Sequence, residues 1–287
     1  MSNDDKGTPT GKARNAAVAG RFYPGEGPTL RSMVERLLAE VPDASTTAIK
    51  GGGGDTPLDP SKAVGYVVPH AGYRYSGPIA ARAYARLRAQ AATVRRIVLV
   101  GPSHFVRLMG CAVPTTEVWR TPLGEVAVDV AACRALVDAG AAAFDDAPHA
   151  REHSLEVQLP FLQVTVPDVV VVPVAVGITG PGTVATLLSA LEAPGTVVLC
   201  STDLSHYHDQ ATAQRLDRRT ASAVMRLDAS AIGIRDACGV FALRGTVEWA
   251  RQRGWRPELL DLRTSADTMG DPTRVVGYPA FAFHPTA

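Results

Sequence analysis

The stretch RRIVLVGPSH, residues 95–104, determines the fold class that we predict for this chain. Its apolar run, residues 97–100, lies between two arginines and a Gly-Pro step, which is typical of a short buried strand. The stretches AVGYVVPH, residues 63–70, and GTVVLCSTDLSH, residues 195–206, have the same form. Segments with helical patterns separate the three, so we expect an α/β fold with a mostly parallel sheet flanked by helices.

Length and composition favour one large domain. The chain has 287 residues, of which 46% are hydrophobic and 20% charged, as in ordinary globular proteins. We expect residues 1–16 to form a disordered tail and residues 17–287 to form a single domain. Four consecutive glycines lie among small polar residues near position 51. They predict a flexible surface insertion at residues 43–61.

Charge and hydropathy exclude several classes of function. The net charge is +1 and no basic run is present, so we expect no nucleic-acid partner. The apolar stretch at residues 169–177 is interrupted by proline and is too short to cross a bilayer, so we expect no membrane association. The first residues are polar and lack the apolar core of a secretory signal, which by default favours a cytoplasmic location.

Four candidate site residues follow the predicted strands: His70, His104, Asp203 and His206. The carboxyl ends of parallel strands open on the same edge of a sheet, where α/β proteins place their sites. Imidazole and carboxylate groups at one edge indicate a metal site or an acid/base site. Each residue alone also has an ordinary interpretation, such as a core histidine or, for Asp203, a helix cap. If the loop after Ser201 begins a helix, the i, i+3 spacing directs Asp203 and His206 the same way.

Four further residues are less certain members of the site. Cys238 precedes a predicted helix, whose amino end would stabilise a thiolate for metal binding or nucleophilic chemistry. A buried free cysteine is the alternative, and spacing does not decide between the two. His153 either enters the site or packs locally. Tyr73 and Arg74 lie in the His70 loop and are candidate pocket residues by position alone.

Several blocks of the sequence, taken together, resemble the Memo family. They are VPHAGYRYSGPIAARAY, VLVGPSHF, EHSLEVQLPFLQ, CSTDLSHY, the Ala-Cys-Gly step at Cys238 and the closing VVGYPAFAF. Members of this family are also called the B component of the AmmeMemoRadiSam system. The resemblance covers nearly the whole chain and implies a fold similar to the catalytic subunit of extradiol (class III) non-haem iron dioxygenases.

The resemblance also implies a metal site at His70, His104 and Cys238. Asp203 and His206 would lie beside it, with His206 as a general base and Asp203 orienting it or sharing the metal. We expect a divalent or redox metal, with iron first and copper or zinc as alternatives. In the related dioxygenases a carboxylate takes the place of Cys238, so the dioxygenase reaction does not carry over with the fold.

The expected function is therefore that of a metal-dependent redox protein or oxidoreductase of unknown substrate. The first alternative is a non-catalytic binding module that uses the same pocket for a peptide or a small anionic or aromatic ligand. Hydrolysis by zinc-bound water is a weaker third possibility. The resemblance further implies a radical S-adenosylmethionine protein and an AMMECR-type protein as partners.

Overall fold

The computed structural model describes residues 12–42, 58–59 and 62–286. Within these ranges the chain forms one α/β domain. Its strands are β1 (Ala13–Arg14), β2 (Gly65–Val68), β3 (Arg96–Pro102), β4 (Cys111–Val113), β5 (Val118–Thr121), β6 (Gly124–Ala127), β7 (Ala143–Phe144), β8 (Val170–Val176), β9 (Thr196–Ser201), β10 (His206–His208), β11 (Arg256–Thr264) and β12 (Val275–His284).

Helices cover the sheet and connect most of its strands. They are α1 (Gly27–Ala39), α2 (Tyr73–Arg88), α3 (Val130–Asp138), α4 (Ala147–Ala150), α5 (Leu159–Thr165), α6 (Pro181–Ala190), α7 (Gln210–Met225) and α8 (Val240–Gln252). Short 3-10 helices lie at Glu156–Gln158, Ala229–Ala231 and Ser265–Asp267. No helix among the described residues is both long and apolar enough to cross a membrane.

The large sheet has the strand order β10-β12-β2-β9-β3-β8-β4-β7, and β11 also pairs with β12. The central strands β2, β9, β3 and β8 are parallel. Strand β12 pairs antiparallel with β10, β11 and β2, and β4 pairs antiparallel with β8. The expectation of a mostly parallel sheet is therefore correct only at the centre, and the sheet as a whole is mixed.

The central strands are buried on both faces. Nearly every residue of β2, β3, β8 and β9 is buried, as expected for parallel strands that helices cover on both sides. Helices α1, α2 and α5 pack on one another, while α8 packs against α6, β3 and β9. Where α8 packs on α6, a Cβ at Gly245 would lie 2.2 Å from Cβ of Val184. The two helices therefore approach as closely as a glycine allows.

The amino-terminal segment corrects one expectation. Ala13–Arg14 pair in parallel with β5, and Arg14 is buried and ion-paired with Glu156 at 2.7 Å. Residues 12–16 are therefore part of the domain, because a buried carboxylate holds the segment in place. Residues 1–11 of the expected tail, and residues 43–57 and 60–61 of the expected insertion, lie outside the described residues.

Candidate metal centre

Three histidines meet at the carboxyl edge of the central strands. His70 follows β2, His104 follows β3, and His153 lies in the turn before the 3-10 helix Glu156–Gln158. One ring nitrogen from each lies within 4.8 Å of the others. The His70 ring lies edge-on to those of His104 and His153, with centroids 5.2 and 5.3 Å away. This group could hold a metal ion, since imidazole is a common ligand of iron, copper and zinc.

Glu152 holds two of these histidines. Its Oε1 lies 2.8 Å from Nδ1 of His104, and its Oε2 accepts the backbone N–H of His104 at 2.5 Å. Burial alone would raise the pKa of Glu152, but the hydrogen bonds from His104 and from nearby backbone lower it to about 2. Glu152 is therefore an ionised carboxylate, and Nδ1 of His104 carries the proton that it accepts.

Ser201, the last residue of β9, holds His70 in the same way. Its hydroxyl donates to the Ser154 carbonyl oxygen at 2.6 Å and accepts from Nε2 of Gln158 at 2.8 Å. Nδ1 of His70 lies 3.0 Å from the same oxygen. A hydroxyl has one proton, and the Ser154 carbonyl takes it, so Nδ1 of His70 must be the donor. The lone pair of His70 is therefore on Nε2.

Cys238 borders the cluster on the other side of His70. Its Sγ lies 3.2 Å from Nε2 of His70 and accepts the backbone N–H of Asp203, also at 3.2 Å. Gly239 permits this approach, because a Cβ there would lie 2.9 Å from the side chain of Thr202. Burial, and then the neighbouring Asp203, raise the pKa of the Cys238 thiol far above its usual range. In the protein without a metal ion, burial thus opposes the thiolate that the helix end would stabilise.

Asp203 and His206 lie beside the cluster, and different hydrogen bonds hold their side chains. Asp203 Oδ1 accepts the backbone N–H of His70 at 2.8 Å, and burial raises the pKa of Asp203 to about 7. His206 lies in strand β10, where its Nδ1 donates to the Leu204 carbonyl oxygen at 2.7 Å. Burial lowers the pKa of His206. The two residues thus do not share a helix face, and the described contacts place the Asp203 carboxylate on the His70 backbone.

The expected pocket residues have different environments. Tyr73 is a core residue, because it is 3% exposed and its hydroxyl donates to the Val157 carbonyl oxygen at 2.6 Å. Arg74 is exposed, with its guanidinium 5.3 Å from the centroid of the Tyr75 ring. His153 enters the cluster, and Phe22 packs on its ring with centroids 4.6 Å apart.

Sequence reasoning missed Glu152, Ser201 and Phe22. The adjacency of Glu152 to His153 was a usable signal, since a carboxylate beside a ligand histidine is common in metal sites. Nothing in the sequence pairs Ser201 with His70, which lies 131 residues away. Phe22 has no distinguishing pattern either. All three act through contacts that form only in the folded chain.

Comparisons with known proteins identify the family of the chain. The family model described as Memo-like protein matches residues 14–282. A MEMO1 family protein of Methanopyrus kandleri is 36% identical over 288 residues, which cover 94% of this chain and 98% of that protein. MEMO1 family proteins of Aeropyrum pernix and Thermotoga maritima are 35% and 32% identical, over 94% and 92% of this chain and 99% and 97% of their own. The chain belongs to the Memo family.

Proposed function

We propose that this protein is a metal-dependent oxidoreductase whose ion is held by His70, His104 and Cys238. One observation carries the proposal. In both histidines Nδ1 is held by a hydrogen-bond acceptor, which leaves the Nε2 lone pair free, and Sγ of Cys238 lies 3.2 Å from Nε2 of His70. Orientation of ligand histidines through their second nitrogen is a recurrent feature of protein metal sites.

The ring geometry favours Cys238 over His153 as the third ligand. An imidazole binds a metal ion in the plane of its ring, and the rings of His104 and His153 are stacked, 17° from parallel with centroids 4.7 Å apart. Stacked rings do not direct their lone pairs to one point without rotating. His70 and His104 are nearly perpendicular at 81°, which suits two ligands of one ion.

The donor set suits iron, copper or zinc, and we propose iron first. Iron or copper would supply one-electron redox chemistry when bound. Among the residues of the chain, His206 donates through Nδ1 to Leu204, so its Nε2 can accept a proton from a substrate. Asp203 holds the His70 turn. Similarity to the extradiol dioxygenase fold, a cytoplasmic location, and radical S-adenosylmethionine and AMMECR-type partners belong to the same proposal.

A second candidate is binding without catalysis, of a peptide or a small anionic or aromatic ligand. The surroundings of His153 favour it. Phe105 lies 6.1 Å from the His153 ring and is 55% exposed, and the Arg151 guanidinium lies 5.4 Å from the centroid of the Phe105 ring. An exposed aromatic ring beside a cation can contact a ring and an anionic group of one ligand.

Metal content of protein purified without oxygen and without added metal tests the proposal. We expect stoichiometric iron or copper in the parent, and a loss of most of it in His70→Ala, His104→Ala and Cys238→Ser. His208→Ala is the matched control, because His208 is exposed in the strand that carries His206. Substoichiometric metal in every protein, or equal metal in all variants, would refute the metal site.

Cobalt substitution identifies the third ligand. Thiolate-to-cobalt charge-transfer absorption is expected in the parent and in His153→Ala, and it should be absent from Cys238→Ser. Loss of the bound cobalt in His153→Ala with an unchanged Cys238→Ser would make His153 the third ligand instead. Retention of zinc alone would favour hydrolysis. Saturable ligand binding that survives chelation, in protein without metal, would favour the binding module.

A further inference from the structure

Glu152 connects the two histidine-bearing segments of the cluster without being one of the proposed metal ligands. The side chain is buried, and both oxygens are used. Oε2 accepts the backbone N–H of His104, while Oε1 accepts the backbone N–H groups of His153 and Ser154 at 2.9 Å each. One carboxylate therefore fixes the His104 loop relative to the His153 turn, 48 residues apart in the chain.

The same carboxylate also contacts both rings. Oε1 lies 2.8 Å from Nδ1 of His104 and 3.4 Å from Nδ1 of His153. An ionised carboxylate accepts and does not donate, so its hydrogen bond to the His104 ring favours Nδ1 as the protonated nitrogen of that ring. The His104 ring therefore keeps the Nε2 lone pair for another partner. His70 reaches the same state through Ser201, a different group on a different strand.

We propose that Glu152 is the positioning residue of the site: it holds the proton of His104 on Nδ1 and thereby sets the affinity for a metal ion. The affinity part of this proposal rests on the proposed metal site. The part that concerns the ring proton does not, because it describes the metal-free protein. Loss of a carboxylate that orients a ligand histidine typically costs about 10- to 100-fold in metal affinity.

Two variants separate this role from general damage. In Glu152→Gln the amide oxygen can accept a hydrogen bond either from the His104 ring or from the His104 backbone N–H. The NH₂ group takes the place of the second oxygen and cannot accept, so one of these two hydrogen bonds is lost. In Ser201→Ala the acceptor of His70 Nδ1 is removed while Glu152 is left intact. Proton–nitrogen correlation spectra of the imidazole rings in the metal-free proteins, near neutral pH, report which nitrogen of each histidine carries the proton.

We expect Glu152→Gln to convert His104 from protonation on Nδ1 to a mixture of the two tautomers, with His70 unchanged. Ser201→Ala should give the reverse pattern. Titration of each protein with zinc should show an affinity about 10- to 100-fold weaker in Glu152→Gln than in the parent. Glu125→Gln, on the exposed hairpin β5–β6, should match the parent in both measurements.

An unchanged His104 tautomer in Glu152→Gln, or a zinc affinity within twofold of the parent, would overturn the proposal. If no protein binds metal but the tautomers change as described, the proposed function fails while the role of Glu152 in holding the ring proton stands. If Glu152→Gln does not fold, Glu152→Asp serves instead. It keeps the charge at a shorter reach, so Nδ1 protonation of His104 and zinc affinity should either both be retained or both be lost. A change in one of them without the other would overturn the proposal.

Discussion

Glu156 anchors the first described segment of the chain to the turn that carries His153. Its carboxylate is fully buried and accepts four hydrogen bonds. Oε2 accepts from Nη1 of Arg14 and from the Ala17 backbone, both at 2.7 Å. Oε1 accepts from the Val18 backbone at 3.0 Å and from the Tyr23 hydroxyl at 2.6 Å. Glu156→Gln keeps the shape of this side chain and removes its charge.

The size of the expected loss of stability follows from these hydrogen bonds. An amide presents one oxygen and one NH₂ group. With the NH₂ group in the place of Oε1, the Tyr23 hydroxyl can accept from it and the Val18 N–H loses its acceptor; in the other orientation Arg14 and the Ala17 N–H lose theirs. Hydrogen bonds to charged groups contribute about 1.5–3 kcal/mol each, so the loss of one or two costs about 1.5–6 kcal/mol. Removing one partner of a buried ion pair typically costs about 3–5 kcal/mol, which lies within this range. We therefore expect Glu156→Gln to lower the free energy of unfolding by about 3–5 kcal/mol.

Urea unfolding followed by tryptophan fluorescence measures this change. Trp119 is a suitable probe, since the Arg14 guanidinium lies 4.3 Å from the centroid of its ring. The matched control is Glu125→Gln, which also removes a glutamate paired with an arginine. In that pair the side chains of Arg120 and Glu125 are 51% and 47% exposed, and exposed pairs contribute about 0–1 kcal/mol. A loss in Glu156→Gln no larger than that in Glu125→Gln would refute the reasoning.

Two more changes test burial and packing elsewhere. Burial lowers the pKa of His149 to about 4. The unfolded side chain titrates near pH 6.5, so this histidine contributes stability above pH 6.5 that is lost as the pH falls toward 4, by about 3 kcal/mol. Urea unfolding measured as a function of pH tests this. His149→Gln should reduce the loss of stability at low pH, while His208→Gln, at an exposed site, should leave it unchanged. Equal pH profiles in the parent and both variants would contradict the lowered pKa of His149. Gly245→Ala should destabilise the protein by about 1–3 kcal/mol through overpacking on Val184, whereas Gly182→Ala, with no atom within 4 Å of the new Cβ, should be neutral or stabilising in the same assay.

The sequence predicted the parts of the fold that depend on apolar runs. The strands that precede His70 and His104 were identified because each run ends at a proline, and both histidines lie where those strands end. The antiparallel partners of the sheet were not predicted. An apolar run such as that of β12 indicates burial but does not state the direction of its neighbour. Strand β1 has two residues and no periodicity to detect.

The places of the candidate residues along the chain could be predicted, but their contacts could not. His70, His104 and Asp203 follow the parallel strands β2, β3 and β9. The hydrogen bonds that hold them join residues far apart in the chain. The raised pKa of Cys238 has the same origin, because burial by other segments cannot be read from the residues around a cysteine. His153 was undecided for a similar reason, since its place in the cluster depends on Glu152 and Phe22.

The strand order has a consequence for the way the chain acquires its site. β2 and β9 are neighbours in the sheet, yet the hydrogen bond between the His70 backbone and Asp203 joins residues that lie 133 positions apart in the chain. The entropy cost of closing a loop of that length comes before the contact lowers the free energy, so such pairings form slowly during folding. The ligands are therefore scattered in the newly made chain and come together only when the central strands have joined. A metal ion that binds this cluster would bind late in folding. It would stabilise the native state and raise the barrier to unfolding.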